Sequence, residues 1–137
     1  MSYNELAEEL FMLRTAEYEK GAGAKLEYVS TGENGVLYRL YAGGEESVLA
    51  GELARSMGLT SGRIANILKQ LEAKDYVVRA AGTTDRRKVY VTLTESGRAF
   101  IEQAYADNIR EIADRLSKLT EEEAAEYIRI LGKLQED

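Results

Sequence analysis

The chain of 137 residues is 45% apolar and 31% charged with a net charge of −6, enough for one compact domain, or for one domain plus helices that need a partner. Cysteine and histidine are both absent, which excludes disulfides, thiolate chemistry, histidine-based triads and the common transition-metal sites. No basic segment precedes an apolar run at the N-terminus, and no stretch reaches the roughly 18 apolar residues of a membrane span, so a cytoplasmic protein with neither metal nor cofactor is expected.

From the N-terminus, Ser2 and Glu5 stand at capping-box spacing, and Tyr3, Leu6, Leu10, Phe11 and Leu13 form an apolar stripe. They predict a first helix ending near Lys20, where GAGAK breaks the pattern. A short connection over residues 26–30 leads to a second helix capped by Ser30 or Thr31. Its apolar side is Val36, Leu37, Leu40 and Tyr41, and Gly43 and Gly44 end it.

Residues 47–97 carry the densest pattern. A short amphipathic run over residues 52–57 stops at Gly58, and Thr60 restarts it with Ile64, Ile67, Leu68 and Leu71 at helical spacing. Leu49 stands where a polar cap is the norm for the first helix of this pair. The second helix buries one side and presents Ser61, Arg63, Asn66 and Lys69 on the other. Residues 77–79 and 88–93 alternate as paired strands, with AAGTTDRR between them as a positively charged loop. Helix, tight turn, helix and basic hairpin make a winged helix-turn-helix, a mainly α fold with a small β-hairpin wing. Over residues 55–90, eight positive residues face three negative ones, a local charge of +5 that leaves −11 for the rest of the chain. Phosphate responds to that local field, so the acidic total does not exclude DNA.

Beyond the hairpin, Thr94 is placed to cap a long helix in which Phe100, Ile101, Ala104, Tyr105, Ile109, Ile112, Leu116 and Leu119 recur every three or four residues. Thr120 and Glu123 form a second capping box, opening a last helix with Ala124, Tyr127, Ile128, Leu131 and Leu134 as its stripe. The first helix and the last two carry more apolar surface than a winged helix covers. That excess points to two chains paired symmetrically through their terminal helices. Reading helices held this way meet half-sites about 10 bp apart, or a multiple of that.

The motifs ELARSMGLTSGRIANILKQLEAKDYVVR and TTDRRKVYVTLTESG, at this distance and with helices at both ends, resemble those of the MarR (multiple-antibiotic-resistance regulator) family of bacterial transcription factors. The resemblance covers the whole chain. It implies a homodimer held by residues 1–30 and 98–137, with a DNA-binding lobe over residues 31–97. It implies that the second helix of the motif enters the major groove through Ser61, Gly62, Arg63, Asn66 and Lys69. The wing then enters the minor groove, with Asp85 holding Arg87 in place. Many members also hold a small molecule between the dimer helices and the DNA-binding lobes. Here Arg14, Tyr18, Tyr38 and Arg39 are the candidates for an aromatic or amphipathic effector, although aromatic residues at helical spacing are more often core. Two positions depart from the family pattern: Asp75 stands where glycine is usual, and Gly62 where a polar contact residue is common.

Chemistry refines these expectations. Arg63 suits bidentate pairing with guanine and Asn66 with adenine, which places base reading on those two. A narrow minor groove concentrates negative potential that the Arg87 guanidinium can enter, while Arg86 and Lys88 suit phosphate. These features predict a repressor that binds a pseudo-palindromic operator as a dimer and is not an enzyme. The competing reading is a winged-helix scaffold that binds protein, or binds DNA architecturally without sequence preference.

Overall fold

Capping side chains set the boundaries of several helices, and apolar spacing decides which face each one buries. The computed structural model describes residues 1–19, 32–44 and 46–136, with side chains described for all of these except residues 15–19. GAGAK, the connection over residues 26–30, and both Ser30 and Thr31 lie outside the described residues. Two compact units result, one of Met1–Glu27 with Ala104–Asp137 and one of Tyr28–Gln103.

In the first unit, helix α1 (Tyr3–Glu19) opens with the expected capping box. The Glu5 amide donates to Ser2 Oγ at 3.2 Å, and the Ser2 amide donates to Glu5 Oε1 at 3.3 Å. Helix α6 (Glu121–Leu134) opens the same way, with Thr120 Oγ1 accepting from the Glu123 amide at 3.1 Å and Glu123 Oε1 from the Thr120 amide at 2.9 Å. Such a cap is worth about 1 kcal/mol. Helix α5 (Glu95–Leu116) contributes its second half to this unit. Leu6, Ala7, Leu10 and Phe11 of α1 are buried, as are Ile109, Ile112, Ala113 and Leu116 of α5 and Ala124 and Ile128 of α6. Phe11 meets the Tyr105 ring edge-on at 5.2 Å. Two long-range hydrogen bonds tie the ends together: Tyr3 Oη donates to the Leu119 carbonyl at 2.7 Å, and Gln135 Nε2 to the Leu13 carbonyl at 3.0 Å. Leu119 lies past the end of α5, in the turn before α6. The predicted stripe of α6 does not close within the chain, since Tyr127 is 41% and Leu134 78% exposed.

The second unit begins with α2 (Glu33–Ala42), whose N-cap is Gly32 with no side-chain cap. Val36, Leu37 and Leu40 are buried as expected, and Gly43 and Gly44 end the helix. A strand that the sequence pattern does not predict follows, β1 (Val48–Leu49), too short to show alternation. Leu49 then serves as the uncapped entry to α3 (Ala50–Met57). Gly58 closes α3 at φ 66°, where the left-handed conformation lets the Leu59 amide reach back to the Ala54 carbonyl at 2.8 Å. Helix α4 (Ser61–Ala73) starts at Thr60, whose Oγ1 accepts from the Arg63 amide at 3.1 Å, so Thr60 is the expected cap. Strands β2 (Val77–Ala81) and β3 (Val89–Leu93) pair antiparallel, from Val77 opposite Leu93 to Ala81 opposite Val89. β2 thus runs two residues further into the predicted loop than expected, and Lys88 stands outside β3. β1 pairs with the other edge of β3, giving the order β1-β3-β2.

A seam joins the end of α4 to the start of α5. Asp75 takes φ 66°, alone among the described non-glycine residues in the left-handed region. Its carbonyl accepts from Thr94 Oγ1 at 2.6 Å, and the Tyr76 carbonyl accepts from the Thr94 amide at 3.0 Å. The Gly97 amide donates to Thr94 Oγ1 at 3.0 Å, fulfilling the predicted cap. A Cβ on Gly97 would collide with the Tyr76 carbonyl. Phe100, partly exposed, stacks on the Tyr76 ring at 4.8 Å. Among the described residues, no helix is long and apolar enough to cross a membrane.

Candidate nucleic-acid interface

Burial of Ile64, Ile67, Leu68 and Leu71 fixes how α4 is rolled on its neighbours. Ser61, Gly62, Arg63, Asn66 and Lys69 are all exposed as a result. Successive residues turn by about 100°, so Gly62, Asn66 and Lys69 point most directly away from the buried stripe. Ser61 falls on one flank of this arc and Arg63 on the other. Ala65 and Gln70, not singled out in the sequence, are exposed on the same arc.

The four wing candidates, Asp85, Arg86, Arg87 and Lys88, lie in the loop between β2 and β3. The loop closes through the Gly82 amide, which donates to the Lys88 carbonyl at 2.8 Å. Asp85 holds Arg87 by three bonds: its Oδ1 accepts from the Arg87 amide at 3.0 Å and from Nε at 3.1 Å, and its Oδ2 from Nη2 at 3.1 Å. The hydrogen bond from the Arg87 side chain, then the one from its amide, holds the Asp85 carboxyl below its usual range. The Arg87 side chain nevertheless remains 91% exposed. A planar guanidinium has donors left over when one edge is occupied, so Arg87 is positioned and still available.

Between this loop, α3 and the Ser61 flank of α4 lies an apolar-floored cleft of about 440 Å³. Ile64, Leu68 and Val89 line it together with Arg55, Arg79, Arg87 and Lys88. Arg55 and Arg79 belong to the local positive field, but their place on the cleft is set by the fold. Arg79 is oriented by Glu72, whose Oε1 accepts from Nη2 at 2.9 Å and from Nε at 3.3 Å. That side-chain bond lowers the Glu72 pKa. A pair formed across the turn after α4 leaves no signature in residue spacing.

The candidate effector residues fall in both units. Arg14, half-buried, is on α1, as is Tyr18, whose side chain is outside the described set. Tyr38 and Arg39 are half-buried on α2.

A model of the MarR family matches residues 33–88, from the start of α2 to the wing. The HTH-type transcriptional regulator MhqR of Bacillus subtilis (strain 168) is 33% identical over 102 residues, 74% of this chain and 69% of that protein. Curated relatives aligned along most of this chain are matched over 58% to 69% of their own length. The crystal structure of YusO from Bacillus subtilis is similar at a TM-score of 0.69 and 29% identity, over 90% of this chain and 80% of that one. The DNA complex of S. aureus MepR is similar at a TM-score of 0.58 and 26% identity, over 91% and 93% of the two chains. The chain belongs to the MarR family of helix-turn-helix transcriptional regulators.

Proposed function

We propose that the chain acts as a homodimeric repressor, reading a pseudo-palindromic operator with α4 in the major groove and the wing in the minor groove. The observation that carries this is the pairing of an exposed polar α4 face with a wing arginine that is held by Asp85 yet open to solvent. In this reading Asn66 and Arg63 contact base edges, Lys69, Arg86 and Lys88 contact phosphate, and Arg87 enters the minor groove. Residues 1–30 and 98–137 supply the dimer contact, supported by the exposed apolar residues Tyr127, Ile130 and Leu134 of α6. Small-molecule relief is a further part of the proposal, with Arg14 and Tyr18 on α1 and Tyr38 and Arg39 on α2 as separate candidate contacts. An effector releases DNA only to the extent that it binds the DNA-free arrangement more tightly.

Selection of genomic fragments by the purified protein, followed by footprinting, tests the reading. A symmetric footprint with half-sites about one helical turn apart is expected. Equal affinity for selected and scrambled duplexes would reject sequence-specific regulation and leave an architectural role.

A further inference from the structure

Several glycines of the described chain have an internal reason to lack a side chain. Gly58 needs its positive φ, and a Cβ on Gly82 or Gly97 would strike backbone. Gly62 has no such reason. Its φ lies outside the left-handed region, and a Cβ built on it meets no atom within 4 Å. It sits in the first turn of α4, where alanine forms helix better. Gly51 and Gly132 also have room for a Cβ, but Gly51 lines the side cleft and Gly132 lies on α6, whereas Gly62 occupies the middle of the outward arc of α4, nearly opposite Ile64 and Leu71.

We infer that Gly62 is a positioning residue for the operator: its bare backbone lets the first turn of α4 approach the DNA more closely than any side chain permits. This rests on the DNA-binding reading above and adds to it a steric role. The side chain that is missing from the free protein is excluded by the partner. The close approach is what brings Asn66 and Lys69, one and two turns further along the same arc, within reach of the groove. Glycine is the residue that allows a backbone to come this near a ligand.

The test uses the full-length protein and a duplex selected by the parent. Gly62→Ala is expected to raise the thermal midpoint by about 1–3 °C, because it restricts the unfolded chain without a clash in the folded one. It is expected to weaken binding roughly tenfold or more, as an added methyl does in a closely packed contact. Gly62→Leu is expected to weaken it further. The slope of log affinity against log salt stays unchanged, since no charge is lost. A structural role would move stability and affinity in the same direction, whereas here they move in opposite ones. If Gly62→Ala binds the duplex as tightly as the parent, the inference is wrong and the regulatory reading stands. If the parent itself prefers no sequence, both fall.

Discussion

Arg87 owes its position to Asp85, two residues before it, and the two side chains can be separated by experiment. Arg87→Ala is expected to weaken operator binding and to reduce the salt slope by about one. Asp85→Asn keeps the arginine charge and loses the charged fork, so it is expected to weaken binding with the slope intact. Parallel salt titrations of the two variants check this. The pH dependence of the pair follows from the lowered Asp85 pKa. A depressed carboxyl contributes above its unfolded value and loses that contribution as pH falls through the folded one. The wing tip therefore stays pinned at neutral pH and releases only in acid, below the usual aspartate range; NMR of Arg87 Nε–H against pH reports it. Asp75 predicts the opposite kind of effect. Its φ of 66° suits glycine better than any other residue. Asp75→Gly is expected to stabilise the protein by up to about 1 kcal/mol, the relieved left-handed strain exceeding the added backbone entropy, as measured by urea unfolding.

Among the elements, helices with two independent signals were legible in the sequence. α1, α4 and α6 each combine a polar cap with apolar spacing of three and four, and each begins at its cap. α3 has an apolar face but no cap, so its stop at Gly58 was clear and its start at Ala50 was not. β1 was illegible because two residues cannot show a period, and only pairing with Val91 and Tyr90 makes them a strand. At the candidate site, the outward face of α4 could be read by subtracting the buried positions. The Glu72–Arg79 pair and the cleft could not, since both arise from how the chain returns after α4. The cap of α4 carries a prediction of its own. Thr60→Ala leaves the Arg63 amide without its acceptor and is expected to cost about 1 kcal/mol, while Thr60→Ser should retain most of the stability. Thermal unfolding of both variants separates loss of the hydroxyl from loss of the methyl.

For the whole molecule, the apolar stripes expected to need a second chain are largely buried within this one, and what stays exposed on α6 is Tyr127, Ile130 and Leu134. Ile130 and Leu134 are 46% and 78% exposed in the single chain. In the proposed dimer these residues lie on the surface that the second chain covers. Ile130→Glu combined with Leu134→Glu is expected to convert the dimer to monomer in sedimentation velocity. Operator affinity should fall with it, because one lobe reaches only one half-site. The absence of histidine bears on the same scale. No side chain with an ordinary pKa titrates between about pH 5.5 and 7, so dimerisation and DNA affinity are expected to be flat across that interval.

The seam at Asp75, Tyr76, Thr94 and Gly97 sets the mechanical character of the second unit. Hydrogen bonds to two consecutive carbonyls and a backbone contact without a side chain leave the end of α4 no slack against the first turn of α5. The Arg87 guanidinium is held by contrast through a surface ion pair, which yields more readily than a backbone seam. The seam between α4 and α5 is thus made by backbone carbonyls and amides, whereas the Arg87 guanidinium is held by a side chain alone. A displacement of the start of α5 is therefore expected to reach the end of α4 through this seam, and hydrogen exchange of the Thr94 and Gly97 amides reports how firmly it is closed.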